Sequence, residues 1–300
     1  MKTTVRLVAA AAALLCASPL LAQTAYPTHP VRMIVPFAAG GPTDVIARVV
    51  AQKLSESLRQ QFYVENLPGA GGNTGTATAA KSPPDGYTVL VVSTGFIVNP
   101  SLYAKGVPYD PVKNFAPVTL VAASPNVLTV NPNVAAKTVQ ELIALAKASP
   151  GKFSFAQPAT GSTPHLNGEL FKLAFGLDLT MVPFTGAAPA ITSTIGGHTP
   201  IAFTALPPAM SNVKEGKLRA LAVLSVRRSP ALPEVHTNTE AGVPDLESDT
   251  LTGIVAPAGT PTDIIERWRS GIATAVAAAD VKERLETLGF SPVANTPQEF

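Results

Sequence analysis

Two loops hold the residue types that could do chemistry. The first is Pro36-Phe-Ala-Ala-Gly-Gly-Pro-Thr-Asp44, between an apolar strand and a helical pattern. Glycines let a backbone approach a ligand closely, and the unpaired N–H groups of a helix start attract anions. The same residues also read as an ordinary turn capped by Thr43 or Asp44. The loop lacks the G-x-G-x-x-G of a dinucleotide site and the Gly-Lys-Ser/Thr of a phosphate loop. The second loop is Ala159-Thr-Gly-Ser-Thr-Pro-His165. One reading makes Ser162 a nucleophile and His165 its base, but the G-x-S-x-G elbow is missing. Another has Thr163 as a plain N-cap with His165 in the first turn. The preferred reading is an uncharged anion cradle of hydroxyl and N–H groups.

Metal chemistry has little support. The four histidines (His29, His165, His198, His236) are far apart and lack ligand spacing. Asp110, Asp178 and Asp249 stand alone, as caps and turns do. Trp268 falls on the apolar stripe of a helix and reads as core. No cofactor is expected.

The elements that must position these loops alternate between strand and helix. Val31 to Pro36 reads as a strand, and Val45, Ile46, Val49, Val50, Leu54 and Leu58 recur at helical period. Strands follow at 62–65, 87–92, 127–130, 153–156, 180–183, 201–204 and 218–224. Thr138-Val-Gln-Glu141 is a capping box. Thr163-Pro164 opens a helix with Leu166, Leu170 and Leu173 on one side; Thr260-Pro261 opens another, Asp280 caps a third, and Gly289 ends it. Thr296-Pro-Gln-Glu299 announces one more, so an outer helix is expected to follow. Such alternation argues an α/β fold with largely parallel sheets. The block 127–224 has its own set of elements and reads as an internal unit.

Composition excludes several classes. With 46% hydrophobic and 14% charged residues, the chain is neither disordered nor a coiled coil. Met1 to Ala22 has Lys2 and Arg6, an apolar run and small residues near Ala22, which is the layout of a cleaved secretory signal. Pro19 cuts the run too short for a spanning helix. Removing 1–22 takes two of the 22 basic residues and no acid, leaving 20 against 20. No basic excess remains for nucleic acid. Cys16, the single cysteine, lies in that segment, so the remainder has no thiol for a disulfide, a nucleophile or a metal. The product is expected to be exported and not membrane-embedded.

A series of short stretches carries a family resemblance. They include Val35 to Asp44, Glu65-Asn-Leu-Pro-Gly-Ala-Gly-Gly-Asn73, Pro84-Asp-Gly-Tyr87 and Tyr109-Asp-Pro-Val-Lys113. Further on come Gly161 to His165, Pro183-Phe-Thr-Gly-Ala-Ala-Pro189, Gly216 to Ala222, Arg228 to Pro233 and Ala256 to Pro261. In this order, from about Tyr26 to Phe300, the chain resembles the Bug-type periplasmic solute-binding receptors of tripartite tricarboxylate transporters.

The resemblance implies a two-lobed periplasmic binding protein, type II-like, each lobe a mainly parallel sheet flanked by helices. Lobe one would be residues 23–126 with 225–300, and lobe two 127–224. It implies capture of a small carboxylate between the lobes, delivery to membrane transporter subunits, a periplasmic location and a monomer. By position, the ligand contacts would be Phe37, Ala38, Gly40, Gly41, Thr43 and Asp44, then Ser93 and Thr94, then Gly161, Ser162, Thr163 and His165, with Thr204 after a lobe-two strand. Leu67 stands where the family commonly has Arg, Thr204-Ala205 where many relatives have a polar pair such as Asp-Asn, and Leu251-Thr252 where an aromatic pair is usual. The expected ligand is therefore not an α-amino acid, and its distal end is fairly apolar. An exported carboxylate sensor presenting its ligand to a signalling partner is the alternative; an enzyme built on Ser162 and His165 ranks third.

Overall fold

Strand β1 (Val31–Val35) is buried along almost its whole length, as is β3 (Thr88–Ser93). Continuous apolar runs of this kind suit the middle of a sheet covered on both faces. In the computed structural model, which describes residues 26–243 and 246–300, that is where both lie. The signal read at 1–22 falls outside the described residues. β1 pairs in parallel with β2 (Phe62–Asn66) and with β3. β3 then pairs antiparallel with β9 (Asp249–Pro257), and β9 with β4 (Phe115–Val130).

β4 builds both sheets. Residues 115–125 pair with β9 in the first; residues 126–130 pair antiparallel with β7 (Ile201–Ala205) and β8 (Arg219–Leu224) in the second. β5 (Phe153–Gln157) continues the second sheet, parallel to β7 and to β6 (Leu179–Pro183). A two-residue β10 (Ser291–Pro292) edges β4 in the first sheet. The sequence shows only the last four residues of β4 as strand, because Pro117 and Pro125 interrupt the pattern. Neither proline can donate to a ladder, and the register slips just after Pro117.

Nine helices flank the sheets among the described residues. α1 (Pro42–Leu58) and α8 (Thr262–Ala277) pack Ile46, Leu54, Trp268 and Ile272 onto the first sheet. α9 (Ala279–Thr287) adds Val281 and Leu285 to that layer, while α2 (Asn73–Ala80) and α3 (Gly95–Leu102) cover the opposite face, where Ala79 and Phe96 pack with Ile34 and Leu90. The second core centres on Phe155, Phe171 and Phe203, with ring centroids 5.6–5.7 Å apart where they meet Phe203. Full burial of each ring contributes roughly 1.5–3 kcal/mol. α4 (Val139–Ala148), α5 (Thr163–Phe175), α6 (Ala187–Ile195) and α7 (Leu206–Lys214) belong to this part.

Some details differ from the sequence reading. α5 turns Asn167, Gly168 and Phe171 inward and leaves Leu170 and Leu173 exposed, reversing the expected face. Gly168 explains the choice: a methyl group there would lie 2.2 Å from the Phe155 ring, so the helix rides directly on β5. The α8 cap is Pro261 and the α9 cap is Ala278, while Asp280 sits in the first turn and pairs with Lys53 at 3.0 Å. Thr296 and Glu299 do close a capping box, over a single turn. Residues 225–248, grouped with lobe one on the sequence, pack instead on the second sheet. Leu232 and Val235 join Leu206 and Met210, and Ala241, Val243 and Leu246 join Phe171. The segment leaves β8 at Leu224 and returns there, since Ser248 N–H donates to Leu224 O at 3.0 Å.

Candidate functional site

Five strands end at one cleft, and each is followed by a helix start. β1 runs into Phe37 and α1, β3 into Ser93 and α3, β5 into Pro158 and α5, β6 into Gly186 and α6, and β7 into Ala205 and α7. Ligands of open α/β sheets bind outside strand carboxyl ends for this reason: the turn exposes backbone and the next helix presents its N–H groups. The cleft encloses about 410 Å³ of space free of protein atoms, part of it open to solvent.

Four of these five helices, α1, α3, α6 and α7, begin with no side-chain cap; their N-caps are Gly41, Thr94, Gly186 and Ala205, and α7, with Pro207 and Pro208 in its first turn, has the fewest N–H groups to offer. No Lys, Arg, His, Asp or Glu lines the cavity. Positive potential there comes from oriented peptide dipoles, each helix start carrying the equivalent of about half a charge. The remaining wall is apolar, from Phe37, Pro42, Pro158, Pro164 and Ala187.

Among the residues marked on the sequence, Phe37, Gly41, Thr43, Ser93 and Ser162 line this cavity. The other eight lie behind or beside it. Ala38 N–H donates to Thr185 O at 3.1 Å, across the cleft. Gly40 N–H donates to Asp44 at 2.9 Å, a turn made with Gly40 at φ +83°. Thr94 Oγ1 accepts from Leu251 N–H, and Thr163 and Thr250 hydroxyls bond at 2.7 Å. Thr204 is fully buried in β7, its hydroxyl without a partner among the described residues.

Asp44 faces away from the cavity. Its carboxylate accepts from Gly40 N–H, Arg48 and Asn66, and Asn66 also donates to Phe37 O. Burial alone would raise its pKa, but the bonds from Arg48, Gly40 and Asn66 outweigh burial and hold it below its ordinary value of 3.8. Asp44 therefore fixes the shape of the first loop and leaves no free carboxylate for a ligand.

The geometry matches a known family. The model of the tripartite tricarboxylate transporter family receptor matches residues 46–300. The chain belongs to this receptor family. Protein BugT of Bordetella pertussis is 40% identical over 289 residues, covering 94% of this chain and 87% of BugT. R. palustris Rpa4515, solved with adipate, is 35% identical with a TM-score of 0.89, over 91% of this chain and 92% of that one. MatC from Rhodopseudomonas palustris, solved with bound malate, is 31% identical with a TM-score of 0.84, over 88% and 90%. The fold is thus that of a two-lobed periplasmic binding protein.

In this receptor, Ser162 and His165 are a cap and its helix. Ser162, not Thr163, is the N-cap of α5, its Oγ accepting from His165 N–H at 3.4 Å. His165 Nδ1 accepts from Gly161 N–H at 3.2 Å, which places the proton of the neutral ring on Nε2. Burial pushes this imidazole below its ordinary 6.5, so it brings no charge to the cleft at neutral pH. Among the described residues, no group of three or more His, Cys, Asp or Glu could hold a metal ion. No described helix is long and apolar enough to cross a membrane.

The sequence reading left out Pro42, Pro158, Ala159, Pro164, Gly186, Ala187, Ala205 and Thr250. Pro42 and Pro164 sit inside the two marked loops, and Gly186-Ala187 inside the 183–189 stretch. Thr250 had no signal, because β9 does not stand out in the sequence.

Proposed function

We propose that this receptor captures a small carboxylate between two lobes and passes it to the membrane subunits of a tripartite transporter. One observation carries the reading: helix starts without side-chain caps converge on a cleft lined by no ionisable group. Such a site stabilises an anion through fixed amides, which need no reorganisation when it arrives. The carboxylates held by the adipate- and malate-bound relatives support the class. The lobes are the two sheets with their helices, 26–125 with 249–300 and 126–248. Their closure over a ligand would be the state a membrane partner recognises. Export to the periplasm as a monomer, after loss of 1–22, completes the proposal.

The ligand has no ammonium group. An amine would need an acceptor of negative charge; none lines the cleft, and Asp44 is already bonded on both oxygens. The apolar wall fits a ligand whose body is hydrocarbon or aromatic.

A thermal-shift panel of adipate, malate, succinate, benzoate and glutamate tests this. A bound acid at a hundredfold excess over its Kd adds about 2.7 kcal/mol, a rise of several degrees. At least one unsubstituted acid is expected to give it, and glutamate none. No shift with any acid, or the largest with glutamate, contradicts the proposal.

A further inference from the structure

Beside the cleft, the loop after β1 meets the start of α6. Ala38 N–H donates to Thr185 O there, a main-chain bond between the two sheets' loops. Gly186 makes the approach possible. A methyl group on it would lie 2.9 Å from Ala38 Cβ and 3.3 Å from Ala38 N, and its three nearest atoms all belong to Ala38. Gly186 has φ 173°, extended backbone open to any residue. A side chain at 186 would thus be tolerated by its own loop and would clash only when the cleft is shut. Gly161 and Gly71, on the other flank, differ: both have positive φ, so substitution there strains the backbone whatever the cleft does.

We propose that Gly186 is a positioning residue for ligand capture, whose missing side chain sets how firmly the two lobes close. The proposal rests on the receptor reading. It explains why the 183–189 stretch places Gly between the acceptor Thr185 and the α6 helix start: any larger residue would hold Ala38 away and keep the helix start wet.

Closure can be read without ligand from the residue 38 amide, whose bond to Thr185 O forms only when the two loops meet. Its hydrogen should exchange about tenfold faster in Gly186→Ala than in the unaltered chain, within the range for overpacking by one methyl group. Adding Ala38→Gly as well should restore most of the protection, because it removes the opposing methyl. Equal exchange in Gly186→Ala, or protection that Ala38→Gly fails to restore, overturns the proposal. Urea unfolding of each variant separates a local opening from a loss of global stability, and protection lost only in proportion to global stability also overturns it. The receptor reading is judged separately, by whether any acid of the panel slows this exchange when Gly186 is present.

Discussion

Asp44→Ala is expected to lower folding stability by roughly 1–3 kcal/mol, since it removes charge-assisted hydrogen bonds to a buried carboxylate from donors that can partly regain water. Asp44 is 3% exposed, and its carboxylate, in the first turn of α1, ties together three points: the Gly40 turn, the second turn of α1 through Arg48, and the end of β2 through Asn66. Without it the Gly40 N–H and one N–H of the Asn66 amide lose their acceptor, only the bond from Asn66 to Phe37 O remains, and the loop from Phe37 to Thr43 no longer has one shape. Arg48 is more than half exposed and regains water, so the loss falls short of that for a fully buried ion pair. Carboxylate affinity should fall with stability, because the N–H groups of α1 are aimed by this loop. Urea unfolding of both chains gives the number. The pH dependence follows from the depressed pKa. The unfolded chain protonates this carboxyl near 3.8 and the folded chain only below that. The stability difference between wild type and Asp44→Ala should hold from pH 7 to about pH 5, then shrink as pH falls through the folded value. A difference that grows on acidification would refute the assignment.

Asn126→Ala should be comparably damaging, at about 3 kcal/mol, because it opens a buried polar network. Asn126 is where β4 leaves the first sheet for the second. Its amide donates to Ser248 Oγ at 2.7 Å and to Asn167 Oδ1 at 3.2 Å, and its Oδ1 accepts from Thr250 at 2.8 Å. Thr250 therefore donates inward, leaving Thr163 to donate to it, and neither hydroxyl proton is free for a ligand. The network joins both crossing strands to α5 at the point about which the lobes would move. Asn126→Ala and Ser248→Ala should be less than additive in a double-mutant cycle, since each removes the same bond. Additive losses would show that the two side chains act independently.

The alternation of strand and helix is legible in the sequence because short apolar runs and helix starts with Pro, Ser or Gly mark each turn. Core residues such as Trp268 and Ile46 follow from period alone. The long crossing strand is not legible: Pro117 and Pro125 mask β4, and Asp249, Gly253 and Pro257 break up the apolar pattern of β9. The buried face of α5 is misjudged because leucines look like core, while the actual contact is made by a glycine against a phenylalanine ring. Within the candidate site, the glycine and hydroxyl loops stand out by residue type. Ala187 and Ala205 do not, since their part in the cleft comes from where their strands end rather than from chemistry of their own.

Amide chemical shifts during titration with an acid and with its methyl ester give the most direct test. The acid that stabilises the protein most should move the Thr43 and Ala187 N–H signals, at the starts of α1 and α6, while the uncharged ester leaves them in place. Main-chain donors around an uncharged cleft would then be gripping the carboxylate. Equal binding of the ester, or shifts confined to residues away from these helix starts, would contradict the account.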